Sequence, residues 1–230
     1  MVNLHCQQEN GGLLLENLLG ILTHAWEYGL SHASEFEQAL GDHLVLVGTA
    51  LGISILLCIP LGIWTARSRL ASLTIMNLIN ALRVIPSLAV LFLLIPILGL
   101  NTTSATVALT VLAMPPILIN TDAAFRNLDP AVIEAAQGMG MTAGQVLRRI
   151  EFPLALPVIL TGIRTAAVEI ISSATLAAFV GSGGLGIYIT RGFALYDYGI
   201  LMLGAAPVAL LTLIAETILA LLQRLFQPPA

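Results

Sequence analysis

EAAQGMGMTAGQVLRRIEFP, residues Glu134–Pro153, is a polar, glycine-punctuated segment set between strongly apolar runs. Its residue order spells out two short helices and a turn. Asp129 before Pro130 suits an N-cap followed by the first helical position. A helix then runs through Ala131, Val132, Ile133, Glu134, Ala135 and Ala136 and is expected to end at Gly138 and Gly140, where glycine accepts the left-handed conformation at little cost. Thr142 and Gln145 give the T-x-x-Q capping box of a second helix. Val146, Leu147 and Ile150 form its apolar face, with Arg148 and Arg149 elsewhere. Phe152 precedes Pro153, which disfavours the helical region at Phe152 and predicts a break before the next apolar segment. Such a structured handle in the longest charged loop of an apolar chain is suited to being gripped by something soluble.

The surroundings of the loop are membrane-like. The 230 residues are 57% apolar and only 10% charged, against roughly 25% charged in a soluble domain, and the mean hydropathy is +0.94. Several apolar runs exceed the length needed to cross a bilayer. Five spans are predicted: residues 44–66, 75–98, 103–125, 153–180 and 198–222. All five carry proline (Pro60; Pro86 and Pro96; Pro115 and Pro116; Pro157; Pro207). Neighbouring helices in a membrane satisfy the carbonyls that proline frees, so bent helices are the expected consequence. The fold class is therefore all-α, a polytopic membrane protein.

Charge placement orients the spans. All nine basic residues are arginine and all follow residue 66, whereas Glu9, Glu16, Glu27, Glu35, Glu37 and Asp42 precede the first span with no basic residue among them. Arg67 and Arg69 follow span one, Arg126, Arg148 and Arg149 follow span three, and Arg224 follows span five. The positive-inside rule then places the N-terminus outside and the long loop and C-terminus inside, with Arg191 as the one arginine in an outer connection.

Residues 13–40 are too short and polar to span. Leu18, Leu19, Leu22, Trp26 and Leu30 share a helical face, which predicts an interfacial helix on the outer leaflet, with a loosely ordered arm as the plainer alternative. The N-terminus lacks the basic start of a signal peptide, so the first span is expected to act as the insertion signal. Cys6 and Cys58 suggest no disulfide framework, and Cys58 reads as a small apolar group inside a span. His5, His24, His32 and His43 all precede the first predicted span, and their spacing suggests solvated surface histidines and no metal site.

Two further groups stand out. Gly181, Gly183, Gly184 and Gly186 lie between spans four and five, as a re-entrant or gate-lining turn or as a tight connection. No Lys–Ser/Thr pair follows them, so they form no phosphate loop. Arg83, Arg164 and Glu169 are embedded charges. Arg83 is placed to snorkel from the inner half of its span. Arg164 and Glu169, on different helix faces, are placed to pair with other helices. Contact with a solute is the sharper reading for each. Proteolysis at Ser182 lacks a base, because the predicted spans hold no histidine and the chain holds no lysine. A secondary transporter would need midplane coupling residues and internal repeats, which are not evident.

The full loop spacing resembles the cytoplasmic loop of ABC-importer permeases: EAA, three residues, Gly, nine residues, Ile, two residues, Pro. The matching positions are Glu134, Ala135, Ala136, Gly140, Ile150 and Pro153, with Phe152 where that pattern often has leucine. IPSLAVLFLLIPILGL (Ile85–Leu100), LDPAVIEAAQGMGMT (Leu128–Thr142), PLALPVILTGIRTA (Pro153–Ala166) and ATLAAFVGSGGLG (Ala174–Gly186) resemble the osmoprotectant subgroup, whose members import glycine betaine, choline, carnitine and related quaternary amines. The resemblance implies the type I ABC importer permease fold and an inner-membrane location. It covers roughly residues 40–225 and implies a transmembrane domain over 41–225 with coupling loop 126–153; residues 1–40, less typical of the family, are expected as an extracytoplasmic arm or interfacial helix, and 226–230 as a cytoplasmic tail. It also implies the partners: a cytoplasmic ATPase dimer carrying ATP and Mg, an extracytoplasmic substrate-binding protein, and a second permease copy or paralogue. This chain would bind no cofactor of its own. By the same resemblance the helix at Glu134–Gly140 docks in a cleft of the ATPase, and Ile150 and Pro153 lock the second helix to span four. The same machinery importing an amino acid, a sulfonate or ergothioneine is the alternative. Aromatic residues make up only 6% of the chain, too few and too scattered for a quaternary-ammonium cage, so selectivity is expected in the binding protein.

Overall fold

A computed structural model describes residue 16 and residues 19–226. Helix α1 covers residues 19–31. It is followed by α2 (Ala33–Arg67), α3 (Arg69–Leu82), α4 (Ser87–Leu98), α5 (Thr102–Arg126), α6 (Pro130–Gly138), α7 (Ala143–Val146), α8 (Phe152–Ser173), α9 (Gly186–Leu195) and α10 (Tyr198–Leu225). Four of the continuous helical runs are long and apolar enough to cross a membrane: Ala33–Arg67, Thr102–Arg126, Ala143–Val180 and Tyr198–Leu225. The α3–α4 pair makes a fifth, broken span bent by 99°.

Helix α5 is the centre of the bundle. It packs between α2 and α8, and most of its residues are buried, including Leu109, Ile117 and Leu118. Side-chain contacts fix the directions. Ser54 Oγ donates to the Thr110 carbonyl at 3.0 Å, Cys58 Sγ lies 3.7 Å from the Met114 carbonyl, and Arg126 reaches the Thr65 carbonyl. The numbering rises together along both helices, so α2 and α5 run parallel, with the broken span as the return. Helix α8 runs the other way. The crossings need glycine: a Cβ on Gly62 would sit 2.6 Å from Thr121 Cβ, and one on Gly162 would sit 2.6 Å from the Pro116 carbonyl. Small residues at crossings let membrane helices approach and gain dispersion contact where no hydrophobic drive separates protein from lipid. Helix α10 packs on α8 and α9, with one face left open.

Three expectations are corrected. The second span is not one bent helix. Pro86 keeps Ile85 out of the helical region and starts α4 with φ −58° and ψ 139°, so the helix breaks at Arg83–Pro86, whereas Pro60, Pro115, Pro116, Pro157 and Pro207 are absorbed inside continuous helices. The helix that carries the first predicted span starts at Ala33, well before residue 44, so residues 33–40 are continuous with that helix. The third correction concerns His43. It lies inside α2, fully buried, where a solvated surface residue was expected. Its position one residue before an apolar run hid it, because α2 extends well beyond that run. His24 is exposed and contacts Asp197 at 3.3 Å, and His32 stacks on Tyr28. His5, Cys6 and residues 13–15 and 17–18 of the interfacial helix lie outside the described residues. Leu19, Leu22, Trp26 and Leu30 do present an exposed apolar face on α1.

Candidate functional site

The loop between α5 and α8 is built by local rules. Asp129 caps α6, its Oδ1 accepting from the Ala131 amide at 2.9 Å, and Pro130 takes the first helical position. At the far end the Gly140 amide bonds the Gln137 carbonyl at 2.9 Å and the Met141 amide bonds the Ala136 carbonyl at 3.3 Å. Those two bonds are the Schellman arrangement, which requires a left-handed residue; Gly140 supplies it with φ +82°. Gly138, expected to share this task, is simply the last residue of α6. Gln145 then caps the next helix, its Oε1 accepting from the Thr142 amide at 2.8 Å.

The second loop helix does not stop at Pro153. The helical run is continuous over Ala143–Val180, with Phe152 at φ −64° and ψ −47°. The predicted break at Phe152 is therefore wrong, and the reason is local. Leu147–Glu151 form a π-helical turn, in which the Phe152 amide bonds the Leu147 carbonyl five residues back. The widened turn sits just before Pro153 and relieves the ring's clash with the preceding turn. The loop is thus joined to span four as one rod, with Ile150 half-buried inside the π turn and Pro153 immediately after it.

The exposed and packed faces of α6 divide within the EAA triplet. Glu134 and Ala135 are exposed together with Gln137, Gly138, Met139 and Gly140, while Ala136 is buried. Ala136 thus seats α6 within the loop, and Ala135, with no side chain beyond Cβ, keeps the outer face low. Arg148 and Arg149 are exposed on the neighbouring rod.

Sequence reasoning missed the polar brace that ties this loop to the bundle. Arg126 pairs with Asp122 one turn earlier, with Nη2–Oδ1 at 2.8 Å, and the same guanidinium donates to the Thr65 carbonyl at 3.2 Å and to Ser72 Oγ at 2.9 Å. It therefore staples the end of α5 to α2 and α3. Arg67, at the end of α2, pairs with Glu151 in the π turn. The only sequence signal was the i, i+4 spacing of Asp122 and Arg126.

The opposite end holds the glycine turn. Gly181, Gly183 and Gly184 all have positive φ (74°, 79° and 80°), and Gly186 packs on the Thr175 carbonyl. A Cβ on Gly183 would meet Asp42 at 3.4 Å and one on Gly184 would meet His43 Nδ1 at 3.3 Å, so the turn lies directly on α2. Both His43 ring nitrogens and Ser182 Oγ are buried and meet no hydrogen-bond partner within bonding geometry among the described residues. Nearby, Arg191 donates to Tyr28 Oη at 3.2 Å, which fixes α9 beside α1. Burial, with Glu35 and Tyr28 adding to it, pushes the Tyr188 hydroxyl above its ordinary range. Among the charges singled out in the spans, Arg164 pairs with Glu216 of α10 at 3.0 Å and reaches Gln223 Oε1 at 3.3 Å. Arg83 and Glu169 are exposed and form no salt bridge among the described residues.

The bundle of apolar spans with a capped, braced handle between two of them shares the fold of type I ABC importer permeases. A chain of the MetNI methionine ABC transporter in its inward-facing conformation superposes with a TM-score of 0.77, covering 86% of this chain and 99% of that one at 22% identity. An amino acid ABC transporter chain gives a TM-score of 0.68. Residues 58–229 match the family described as binding-protein-dependent transport system inner membrane component, and the chain belongs to that family. Its relatives include the choline transport system permease protein OpuBB of Bacillus subtilis, 36% identical over 89% of this chain and 94% of that one. The carnitine transport permease protein OpuCB of Listeria monocytogenes is 39% identical over 82% of this chain and 87% of its own.

Proposed function

We propose that this chain is the permease subunit of an ATP-driven importer for quaternary-amine osmoprotectants of the glycine betaine, choline and carnitine type. The observation that carries the reading is the run of relatives with those named substrates, aligned over most of both chains. The loop adds the coupling device. Glu134, Ala135 and the turn at Gly140 present a low, exposed docking face to a cytoplasmic ATPase dimer, which holds the ATP and Mg. Ile150 and Pro153 sit where the loop becomes the rod of span four, so a push on α6 is delivered to the bundle without a flexible joint. An extracytoplasmic binding protein delivers solute at the other end, where the Gly181–Gly186 turn serves as the outer gate element. The arginine distribution supports an outside N-terminus and a cytoplasmic loop and C-terminus. On this reading residues 1–40 lead in from the extracytoplasmic side, 41–225 form the transmembrane domain, and 226–230 are the tail. A second permease, a copy or a paralogue, completes the path.

The test is uptake into liposomes holding this permease with its ATPase, supplied outside with loaded binding protein. The expected result is ATP-dependent accumulation of labelled glycine betaine, choline or carnitine. Accumulation of an amino acid, a sulfonate or ergothioneine in their place would overturn the assignment.

A further inference from the structure

Helix α8 carries a polar line in an otherwise apolar span. Thr161, Thr165, Glu169 and Ser172 follow one another at helical spacing, the first half-buried and the others exposed. The Thr165 hydroxyl donates to the Thr161 carbonyl at 3.0 Å and the Ser172 hydroxyl to the Val168 carbonyl at 3.2 Å, so both are satisfied within the helix. Glu169 has no such partner among the described residues. At helical rise it lies about 15–20 Å from Val180 and about 27 Å from Glu151, deep between the two ends of the rod. A carboxylate at that depth is costly against lipid and belongs on a protein interior or a water-filled cavity.

The broken span carries a second exposed charge. Arg83 caps α3 at the 99° elbow, with Val84, Ile85 and Pro86 exposed beside it. Non-helical backbone at membrane depth is tolerated where it lines water or is covered by protein, not where it meets lipid. Arg83 lies within coulombic range of Glu169 without forming a salt bridge to it. Arg164 is different: Glu216 and Gln223 already occupy it.

Resting on the importer reading above, we propose that Glu169 and Arg83 form an open charge station on the wall of the translocation path. Glu169 meets the trimethylammonium end of a zwitterionic osmolyte and Arg83 meets its carboxylate. Two exposed charges of opposite sign, neither held in a salt bridge among the described residues, suit the two ends of such a solute, and exposure keeps the contact weak enough for passage.

The test uses the complete transporter in liposomes, at saturating loaded binding protein, with glycine betaine and choline as probes. Glu169→Gln lowers the uptake rate of both solutes on the order of tenfold. Arg83→Gln lowers glycine betaine uptake similarly and leaves choline, which has no carboxylate, within about twofold of wild type. In a background with Cys6 and Cys58 replaced, Thr165→Cys and Glu169→Cys react with trimethylammonium-ethyl methanethiosulfonate, and glycine betaine slows the reaction during turnover. Wild-type rates for both solutes in both charge variants overturn the proposal. So does failure of both cysteines to react, which would place this face against lipid or against the second permease. Should Glu169→Gln not assemble, the Thr165→Cys reaction decides alone. A wild-type transporter that moves neither probe defeats the importer reading instead, while the labelling still reports whether this face is wet.

Discussion

The two ends of the bundle are built on opposite plans. At the loop end charged groups tie the helices together: Arg126 holds Asp122, Thr65 and Ser72, Arg67 holds Glu151, and α6 is closed by a side-chain cap at one end and a Schellman turn at the other. At the glycine end three residues sit in the left-handed region, and His43 and Ser182 are buried with polar atoms that find no partner among the described residues. Buried unpaired polar groups cost free energy that a rigid scaffold would avoid, and such costs gather where a structure has to change. On the proposed function, the contrast fits force transmission at the first end and rearrangement at the second.

The largest effect should come from breaking the brace. Arg126→Met leaves Asp122 buried without its partner, and a loss of about 3 kcal/mol is expected, read as a fall in the unfolding midpoint of purified protein. The double change Arg126→Met with Asp122→Asn should recover most of it. Equal losses in the single and double variants would show that the pair is not the staple.

Next in size is the turn. Gly140→Leu forces a side chain into φ +82° at about 1–2 kcal/mol. The cost falls on the lever, so ATP-driven uptake should drop roughly tenfold while membrane insertion is kept. Gly138→Ala, one turn position away inside α6, should leave uptake near wild type. Similar uptake in both variants would remove the distinction between the two glycines.

The smallest effect is at the other end and has the opposite sign. His43→Leu removes two unpaired ring nitrogens and should raise the unfolding midpoint, by about 1 kcal/mol of stability, while slowing uptake. A stabilised permease with unchanged uptake would mean that the glycine end has no part in turnover.

Much of this plan could be read from the chain. The apolar runs located the membrane helices, and Asp129–Pro130, Thr142, Gln145 and Gly140 specified the loop because capping is a local matter of two or three residues. Interactions that depend on helices meeting were not legible. Nothing near Arg126 in sequence names Thr65 or Ser72, and His43 looked solvated until the Gly183–Gly184 turn was laid on it. Proline was read with the right chemistry and an uneven outcome. Pro86 breaks its helix outright, whereas Pro153 follows a π turn that absorbs it, and only the backbone beside each proline separates the two cases.

On the proposed function, an ATPase takes hold of the face around Ala135. Cross-linking tests it directly. In membranes carrying the assembled transporter, with Cys6 and Cys58 replaced, Ala135→Cys should form a short-spacer cross-link to the ATPase subunit, and labelling of that cysteine should require access from the cytoplasmic side. Labelling from outside sealed, right-side-out vesicles, with no cross-link to the ATPase, would contradict it.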